Sequence, residues 1–478
     1  MVGLGVGGVE HLDTATRELL ADADELWLRT LHHPALAETN ATAAISSFDE
    51  LLDHWDPSVD APAVIAAKIL ELGRRANGVV YAVPGHPLIS DSTCAAIIGL
   101  AAQEGVAVNT VGGAAFLEAA VSALGPIPTS QLTMVDALHL CRAHVPSFPP
   151  GSPALITHLH SPAIAAGVKS SLMAVFPRLH AASLVHSRGK NDISLEHVTL
   201  EAIDSCLATG ALTCLFVPPL EAGSSIEAFQ EVVAHLRAPD GCPWDREQTH
   251  ASLRRHLLEE AYEAIAAMDA DEPAAIREEL GDLLLQIVLN AQIASERGDF
   301  TFNDVSAGVR NKIIRRHPHV FGDWKVDGVD SVLTNWERLK ETERSEKEGG
   351  GGLLEGVPLA LPALGQAQEY QERAARVGFD WPEIQGVLEK IAEEIQEVKQ
   401  TSGADALAAE LGDLLFALVN LSRWKGVDAE SALRGANQRF KKRFGFIEQG
   451  ARRRQQRLSD MTLDEMEALW QQAKASGL

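Results

Sequence analysis

HLLEEAYEAIAAMDADEPAAIREELGDLLLQIVLNAQ, residues 256–292, holds Glu259, Glu260 and Glu263, then a polar break, then Glu279 and Asp282. Residues three or four apart share one helix face. Glu260 therefore projects with Glu263, and Glu279 with Asp282. Pro273 follows Asp269-Ala270-Asp271-Glu272, and proline suits the first turn of a new helix. The expected shape is a helical hairpin that brings two carboxylate pairs face to face, with Leu257, Leu258, Ala261, Leu280, Leu283, Leu284 and Ile287 as its apolar frame. Clustered carboxylates repel, and some take up protons unless a cation neutralises them. Oxygen-only ligands suit a hard cation, magnesium before manganese. A lone EExxE is a solvated helix face; this one recurs.

The stretch IAEEIQEVKQTSGADALAAELGDLLFALVNLS, residues 391–422, supplies Glu393, Glu394 and Glu397, then Glu410 and Asp413. Both copies read EE-x-x-E followed by E-L-G-D-L-L, an internal repeat that has to be recognised before the fold is read. The repeat continues beyond the acids. Lys312 and Arg316 lie four apart after the first hairpin, as Arg439 and Arg443 do after the second. Trp336 and Lys340 have their counterparts in Trp470 and Lys474. Carboxylates for a magnesium ion, basic groups for phosphates and an aromatic for a base are the parts a nucleoside triphosphate requires.

The 478 residues suggest two or three domains, and 46% hydrophobic content supplies ample cores. A formal charge of -25 argues against a broad surface for nucleic acid or anionic membranes. Five scattered cysteines (Cys94, Cys141, Cys206, Cys214, Cys242) without CxxC fit reduced thiols. MVGLGVGGVE has neither a basic region nor a long apolar core, so no signal peptide is expected, and no run is long enough to span a bilayer. A cytoplasmic protein is expected.

Residues 1–222 alternate strand-like and helical runs, an α/β pattern. Val2–Gly8 reads as a short strand and glycine turn, followed by a helical pattern in ATRELLADADELWL. GVVYAV leads into Pro84-Gly85-His86-Pro87. Val106–Gly125 reads as strand, glycine turn and helix. PALITHLHS, HAASLVHSRG and ALTCLFVPPL read as further strands. From Ile226 the pattern is helical, with Asp240-Gly241-Cys242-Pro243-Trp244-Asp245 as a turn between two helices. Cys242 is a turn residue there, and His317 and His319 belong to a helix C-terminal turn. ERSEKEGGGG, residues 343–352, is a flexible linker. The expected units are 1–222, 226–342 and 353–478.

Gly3-Leu4-Gly5, Ala23-Asp24, Pro84-Gly85-His86-Pro87 and Val111-Gly112-Gly113-Ala114-Ala115-Phe116-Leu117, in that order, resemble the tetrapyrrole methylase superfamily. That resemblance implies S-adenosylmethionine in a cleft between α/β halves, with Gly3, Gly5, Gly85 and Gly112 near it. The usual opening G-x-G-P-G-D is altered, with Val6 for the proline and Gly8 for the aspartate. GCPWD, LRRHLLEEAYE, EELGDLL, RRHPHVFGD, LLEGVP and GFDWPE resemble the MazG family, all-α magnesium-dependent nucleoside triphosphate pyrophosphohydrolases. A methylase-like domain followed by two such helical repeats is the YabN-type arrangement.

The MazG resemblance implies Glu260, Glu263, Glu279 and Asp282 as metal ligands, and Glu394, Glu397, Glu410 and Asp413 as their counterparts. Glu259 and Glu393 become helpers in metal binding or bases toward water. Lys390, Arg439, Arg443 and Lys474 become phosphate contacts, with Trp470 beside the base. Lys312, Arg316, Lys340 and Trp336 match them in the first copy. His256 stands where the second copy has Lys390, which favours the second copy as the working one. Short hairpins bury little apolar surface alone, so pairing between repeats or a homodimer is expected. Two other functions compete: an S-adenosylmethionine-dependent methyltransferase, and a scaffold with relict sites.

Overall fold

The computed structural model describes residues 1–36, 43–127, 131–187, 193–205, 210, 212–221, 223–329, 331–332, 335–336, 339 and 352–478. Lys340 and, but for Gly352, the expected linker lie outside them, as does Cys206. The chain forms two compact units, Met1–Gln248 and Thr249–Leu478.

Two sheets build the first unit. β1 (Val2–Gly3), β2 (Glu25–Leu28), β3 (Ala44–Ser47) and β4 (Val80–Val83) make a parallel sheet in the order β1-β4-β2-β3. Around them run α1 (Thr14–Asp22), α2 (Asp49–Asp53), α3 (Ala61–Gly73) and α4 (Ser92–Glu104), while α5 (Phe116–Leu124) packs on the second sheet. The second sheet is mixed, in the order β5-β6-β9-β7-β8. Its members are β5 (Thr133–Asp136), β6 (Ala154–Thr157), β7 (Ala181–Ser187), β8 (Ile193–Thr199) and β9 (Thr213–Val217). β5 and β6 are parallel, and the other pairings antiparallel. Short α6 (Ala137–Leu140) and longer α7 (Pro162–Leu172) complete this half. A buried core including Leu52, Ile65, Tyr81, Ile156, Leu184 and Leu215 draws on both sheets.

Two sequence expectations change here. The helical pattern of ATRELLADADELWL stops at Asp22, because Ala23 turns extended and Glu25–Leu28 forms β2. Leu26 and Leu28 are buried while Glu25 and Trp27 are half-buried, a strand's period of two. The run 106–111, expected as a strand, forms only an isolated bridge between Val111 and Val2. β1 is only two residues long, and residues 1–3 meet that run through Gly3 N–H to Val111 O, Val111 N–H to Met1 O and the Met1 amino group to Asn109 O.

α8 (Ile226–Arg237) and α9 (Pro243–Glu247) close the first unit, and the GCPWD turn separates them as read. Gly241 packs so tightly on the end of α8 that a Cβ there would fall 2.3 Å from His235 O.

The second unit is helical throughout its described elements. α10 (His250–Ala270) starts at a capping box on Thr249 and Ser252, and ends at Asp271 in the left-handed region. Pro273 then opens α11 (Pro273–Arg297), so the expected hairpin is present. α12 (Phe302–Arg316) and α13 (Pro318–Phe321) follow, with His317 capping the end of α12. The second repeat comprises α14 (Ala363–Arg376), α15 (Ile384–Gln400), α16 (Ala404–Trp424), α17 (Ala429–Arg453) and α18 (Leu463–Ala475). Its acidic hairpin is α15 against α16, with α14 laid across α16. Asp269 at the end of α10 meets Arg434 of α17 at 3.2 Å, which ties the repeats together. Among the described residues no helix is long and apolar enough to cross a membrane.

Candidate metal centres and nucleotide pocket

In the first repeat, one carboxylate oxygen from each of Glu260, Glu279 and Asp282 lies within 4.8 Å of the others. The helix period places Glu260 and Glu263 together on α10, and the hairpin turns them toward α11. Burial raises the Glu260 carboxyl, and Asp282, Glu263, Glu279 and Glu259 raise it further. Glu279 is also raised, by burial and then by Glu263 and Asp282. Glu263 is thus electrically part of the cluster although it is not one of the three closest donors. Glu259 faces His256, with Oε2 3.8 Å from Nδ1.

The second repeat reproduces the cluster with Glu394, Glu410 and Asp413, again within 4.8 Å of one another. Glu397 beside them is raised by burial, then by Glu394 and Glu410. Glu394 differs from its counterpart in being 3% exposed. Lys390 donates to Glu394 Oε1 at 2.7 Å and lies 3.1 Å from Glu393 Oε1. These hydrogen bonds raise the Lys390 ammonium, Glu394 contributing more than Glu393. The other oxygen of Glu394, Oε2, is buried without a hydrogen-bond partner. A buried carboxylate oxygen left unpaired is costly, and a cation at the triad removes that cost. The donor set, all oxygen, therefore fits a hard divalent ion.

A cavity of about 620 Å³ opens beside this second triad. Glu394, Asp413 and Lys390 line its acidic side. Tyr370, Phe379, Trp381 and Phe416 form an aromatic wall, and Asn420 and Arg423 stand at the polar edge. The wall is built from three elements, with Tyr370 on α14. Phe379 and Trp381 come from the loop before α15, and Phe416 from α16. Gly386 lets the indole lie against α15, since a Cβ there would meet the Trp381 ring at 2.6 Å. Asp380, between the two aromatics, accepts from Arg423 Nη2 at 2.6 Å and from Trp424 Nε1 at 3.1 Å, which pins the loop to α16.

The basic residues read from the sequence distribute differently. Arg443 donates from Nε to Leu478 O at 2.7 Å and lies over the Trp470 ring, 5.5 Å from its centroid. Trp470 also packs against Phe440, 5.4 Å between centroids. It does not line the cavity beside the triad. Arg439 lines a smaller recess with Asp269 and Lys442, while Lys474 stands exposed on α18. Lys312 is exposed on α12, and Arg316 and Trp336 are half-buried. As a motif, GFDWPE does not by itself disclose the aromatic pocket. Its signal was an aromatic on either side of an aspartate, just before the acidic hairpin.

The MazG nucleotide pyrophosphohydrolase domain matches residues 248–321 and 383–444, and the tetrapyrrole (corrin/porphyrin) methylases match residues 1–204. The uncharacterized protein YabN of Bacillus subtilis is 37% identical over 99% of this chain and 98% of its own. A nucleoside triphosphate pyrophosphohydrolase/pyrophosphatase, MazG of Thermotoga maritima, is 44% identical over 53% of this chain and 97% of its own. The nucleoside triphosphate pyrophosphohydrolase of Escherichia coli K12 is 43% identical over 52% of this chain and 97% of its own.

The chain belongs to the MazG family. Both acidic hairpins fall inside the matched MazG segments, and the family is metal-dependent. The methylase-like domain precedes the MazG region, with its glycines packed on one another. A Cβ on Gly3 would fall 1.9 Å from Gly112 O and 2.6 Å from Gly85 O. Gly5 and Gly85 exchange backbone hydrogen bonds of 3.1 and 2.7 Å. Gly112 abuts Asp13, and the Ser187 hydroxyl donates to Val6 O. The close approach these glycines permit is to neighbouring protein.

Proposed function

We propose that this MazG-family chain hydrolyses nucleoside triphosphates to the monophosphate and diphosphate, with magnesium at the carboxylate triads. The observation that carries this is the pairing, at one cavity, of the Glu394–Glu410–Asp413 triad with an aromatic wall and Lys390. The relatives at 43–44% identity point to the same activity. Glu394, Glu410 and Asp413, with Glu397 beside them, would hold the ion in the second repeat; Glu260, Glu279, Asp282 and Glu263 would do so in the first. A bound magnesium ion supplies charge neutralisation of the phosphates and a more acidic water.

The chain's own groups then have separable tasks. Phe379, Trp381 and Phe416 bind a base by stacking, which every base accepts because each has a π face. Lys390 holds Glu393 and Glu394 in place and offers positive charge to the phosphates. Glu393, exposed beside the triad, orients a water toward the α-phosphorus and accepts its proton. Glu259 is its counterpart in the first repeat, while the second repeat, with Lys390 and the aromatic wall, is the working one. Attack opposite the β-phosphate breaks the α–β bridge, and the electron pair leaves with diphosphate.

We further infer a homodimer. Leu280, Leu284 and Ile287 of α11 are 44%, 36% and 41% exposed, and the repeat-equivalent Leu411, Leu415 and Leu418 of α16 are 44%, 54% and 42% exposed. The same stripe is uncovered in both copies, and a second chain is the partner available to both.

The test is diphosphate release from a panel of nucleoside triphosphates, with and without magnesium. It compares the natural chain with Glu260→Gln, Glu394→Gln and the double variant. Magnesium-dependent release that Glu394→Gln abolishes is the expected result. Inactivity of the natural chain on every nucleotide rejects the reading.

A further inference from the structure

A second kind of donor cluster lies in the first unit, apart from the carboxylate triads. His32 follows β2, Asp49 and Asp53 stand one turn apart on α2, and His160 sits in the loop between β6 and α7. Donor atoms of His32, Asp49 and Asp53 all lie within 4.8 Å of one another. His160 Nε2 is 3.5 Å from Asp49 Oδ1 and 3.2 Å from Asp53 Oδ1. His160 is 5% exposed, and both its Nε2 and Asp49 Oδ1 are buried without a hydrogen-bond partner. The second oxygen of Asp49 is already used, accepting from Leu31 N at 2.8 Å.

An unpaired buried imidazole nitrogen and an unpaired buried carboxylate oxygen, converging from different elements, leave two desolvation costs at one point. One cation between them removes both. Two imidazoles with two carboxylates also differ in kind from the oxygen-only triads. Imidazole favours zinc and its transition-metal neighbours, which three close protein donors and one further ligand hold tetrahedrally.

We propose that His32, Asp49 and Asp53 bind one divalent transition-metal ion of the zinc class, with the His160 imidazole closing the site from the β6–α7 loop. The ion fastens the β2 loop of the parallel sheet to the β6–α7 loop of the mixed sheet, through α2. Ser161 already marks this junction, its hydroxyl donating to Leu52 O of α2 at 3.0 Å. His32 and Asp53 reach solvent, so an ion has a way in.

The experiment uses the full chain carrying Glu260→Gln and Glu394→Gln, stripped with a chelator and kept in excess magnesium, so that the oxygen-only triads do not report. Zinc or cobalt(II) is then added. Metal per chain, the cobalt visible spectrum and the melting temperature are measured. The expected result is one ion per chain, a tetrahedral cobalt band and a zinc-dependent rise in melting temperature. All three are lost on adding His32→Ala and Asp53→Asn, which alter exposed side chains. His160→Gln, checked for native circular dichroism, should lose the ion as well. The proposal is overturned if the starting chain takes up no zinc. It is equally overturned if the His32→Ala and Asp53→Asn chain takes up zinc as tightly.

Discussion

Glu394 shows why one acidic residue out of many is worth changing. Its Oε1 is held by Lys390 and its Oε2 is buried and unpaired, beside Glu410 and Asp413. Glu394→Gln removes one of several repelling charges, so the metal-free chain should melt no lower than the natural one. Loss of a ligand to the ion that neutralises the phosphates should cost about a hundredfold or more in kcat. Thermal melts and steady-state kinetics check the two halves. Full activity in a folded Glu394→Gln chain would clear the second repeat of the chemistry. Trp381 and Trp470 make a second contrast. Trp381→Ala should raise KM several times more than it lowers kcat, since stacking acts on ground and transition states alike. Trp470→Ala should instead lower stability, because it removes the support under Arg443 and Phe440. Equal KM changes for both would mean that the aromatic wall is not the base pocket. The acidic residues were legible because they repeat with fixed spacing. Trp470 lies against Arg443 and Phe440 rather than at the cavity, a placement not readable from an i,i+4 spacing, which gives a helix face but not the neighbour that this face meets.

Among the elements, the acidic hairpins were readable to their turns, since Pro273 marks a restart and the ELGDLL frame repeats. The strand pattern of the first unit was readable where apolar runs end in turn residues, at β4, β6, β7 and β9. β3, β5 and β8 were not read, and β2 was hidden in a run whose leucines also suit a helix. What makes β2 a strand is its place between β3 and β4, a non-local fact. Just beyond it stands Arg29, 1% exposed, whose Nη1 meets Asp91 at 2.7 Å and Asp136 at 2.9 Å. Asp91 caps α4 and Asp136 caps α6, so this guanidinium joins both sheets at helix starts. Burial lowers the Arg29 pKa, but the two carboxylates more than offset it and keep the group charged. Removing one partner of a buried ion pair strands the others, at about 3–5 kcal/mol. Arg29→Met should therefore lower the unfolding free energy of the first unit by that order in a denaturant titration. A change under about 1 kcal/mol would show that water or a local shift compensates the aspartates, against the expected range. Thiol chemistry reports on the same packing. Burial pushes Cys214 up to about 12 and Cys141, beside Asp136, to about 12 as well. Cys242, on the turn before α9, is partly exposed. Alkylation at pH 8 with peptide mapping should label Cys242 well ahead of Cys94, Cys141 and Cys214. Early labelling of Cys214 would mean that the β9 side of the sheet opens readily.

The second unit leaves apolar helix faces uncovered. Its helices carry exposed apolar residues beyond the two equivalent stripes. Val305, Val309 and Ile313 of α12 are 38%, 48% and 44% exposed at i, i+4 and i+8. Scattered exposed leucines are ordinary, but helical stripes repeated at the same positions of a duplicated unit mark a surface that associates. A homodimer covers such stripes in a closed arrangement, because the same patch serves both partners. The chain's formal charge of -25 opposes that association. Dimerisation should accordingly strengthen with salt and with magnesium, the ion neutralising carboxylates that stand on the same hairpins. Sedimentation velocity at about 10 µM, a range in which interfaces of standard size are occupied, should give a dimer in magnesium buffer. Leu284→Asp with Leu415→Asp should give a monomer whose far-ultraviolet circular dichroism is unchanged, since both side chains already face solvent within one chain. Activity separates two geometries. If the aromatic wall and triad of one chain suffice, the monomer keeps turnover at reduced stability. If the stripe of a second chain closes the cavity, turnover falls with the dimer. A natural chain that sediments as a monomer in magnesium, or a Leu284→Asp and Leu415→Asp variant that remains dimeric, would remove the stripes as the interface and leave the repeats of a single chain to cover each other.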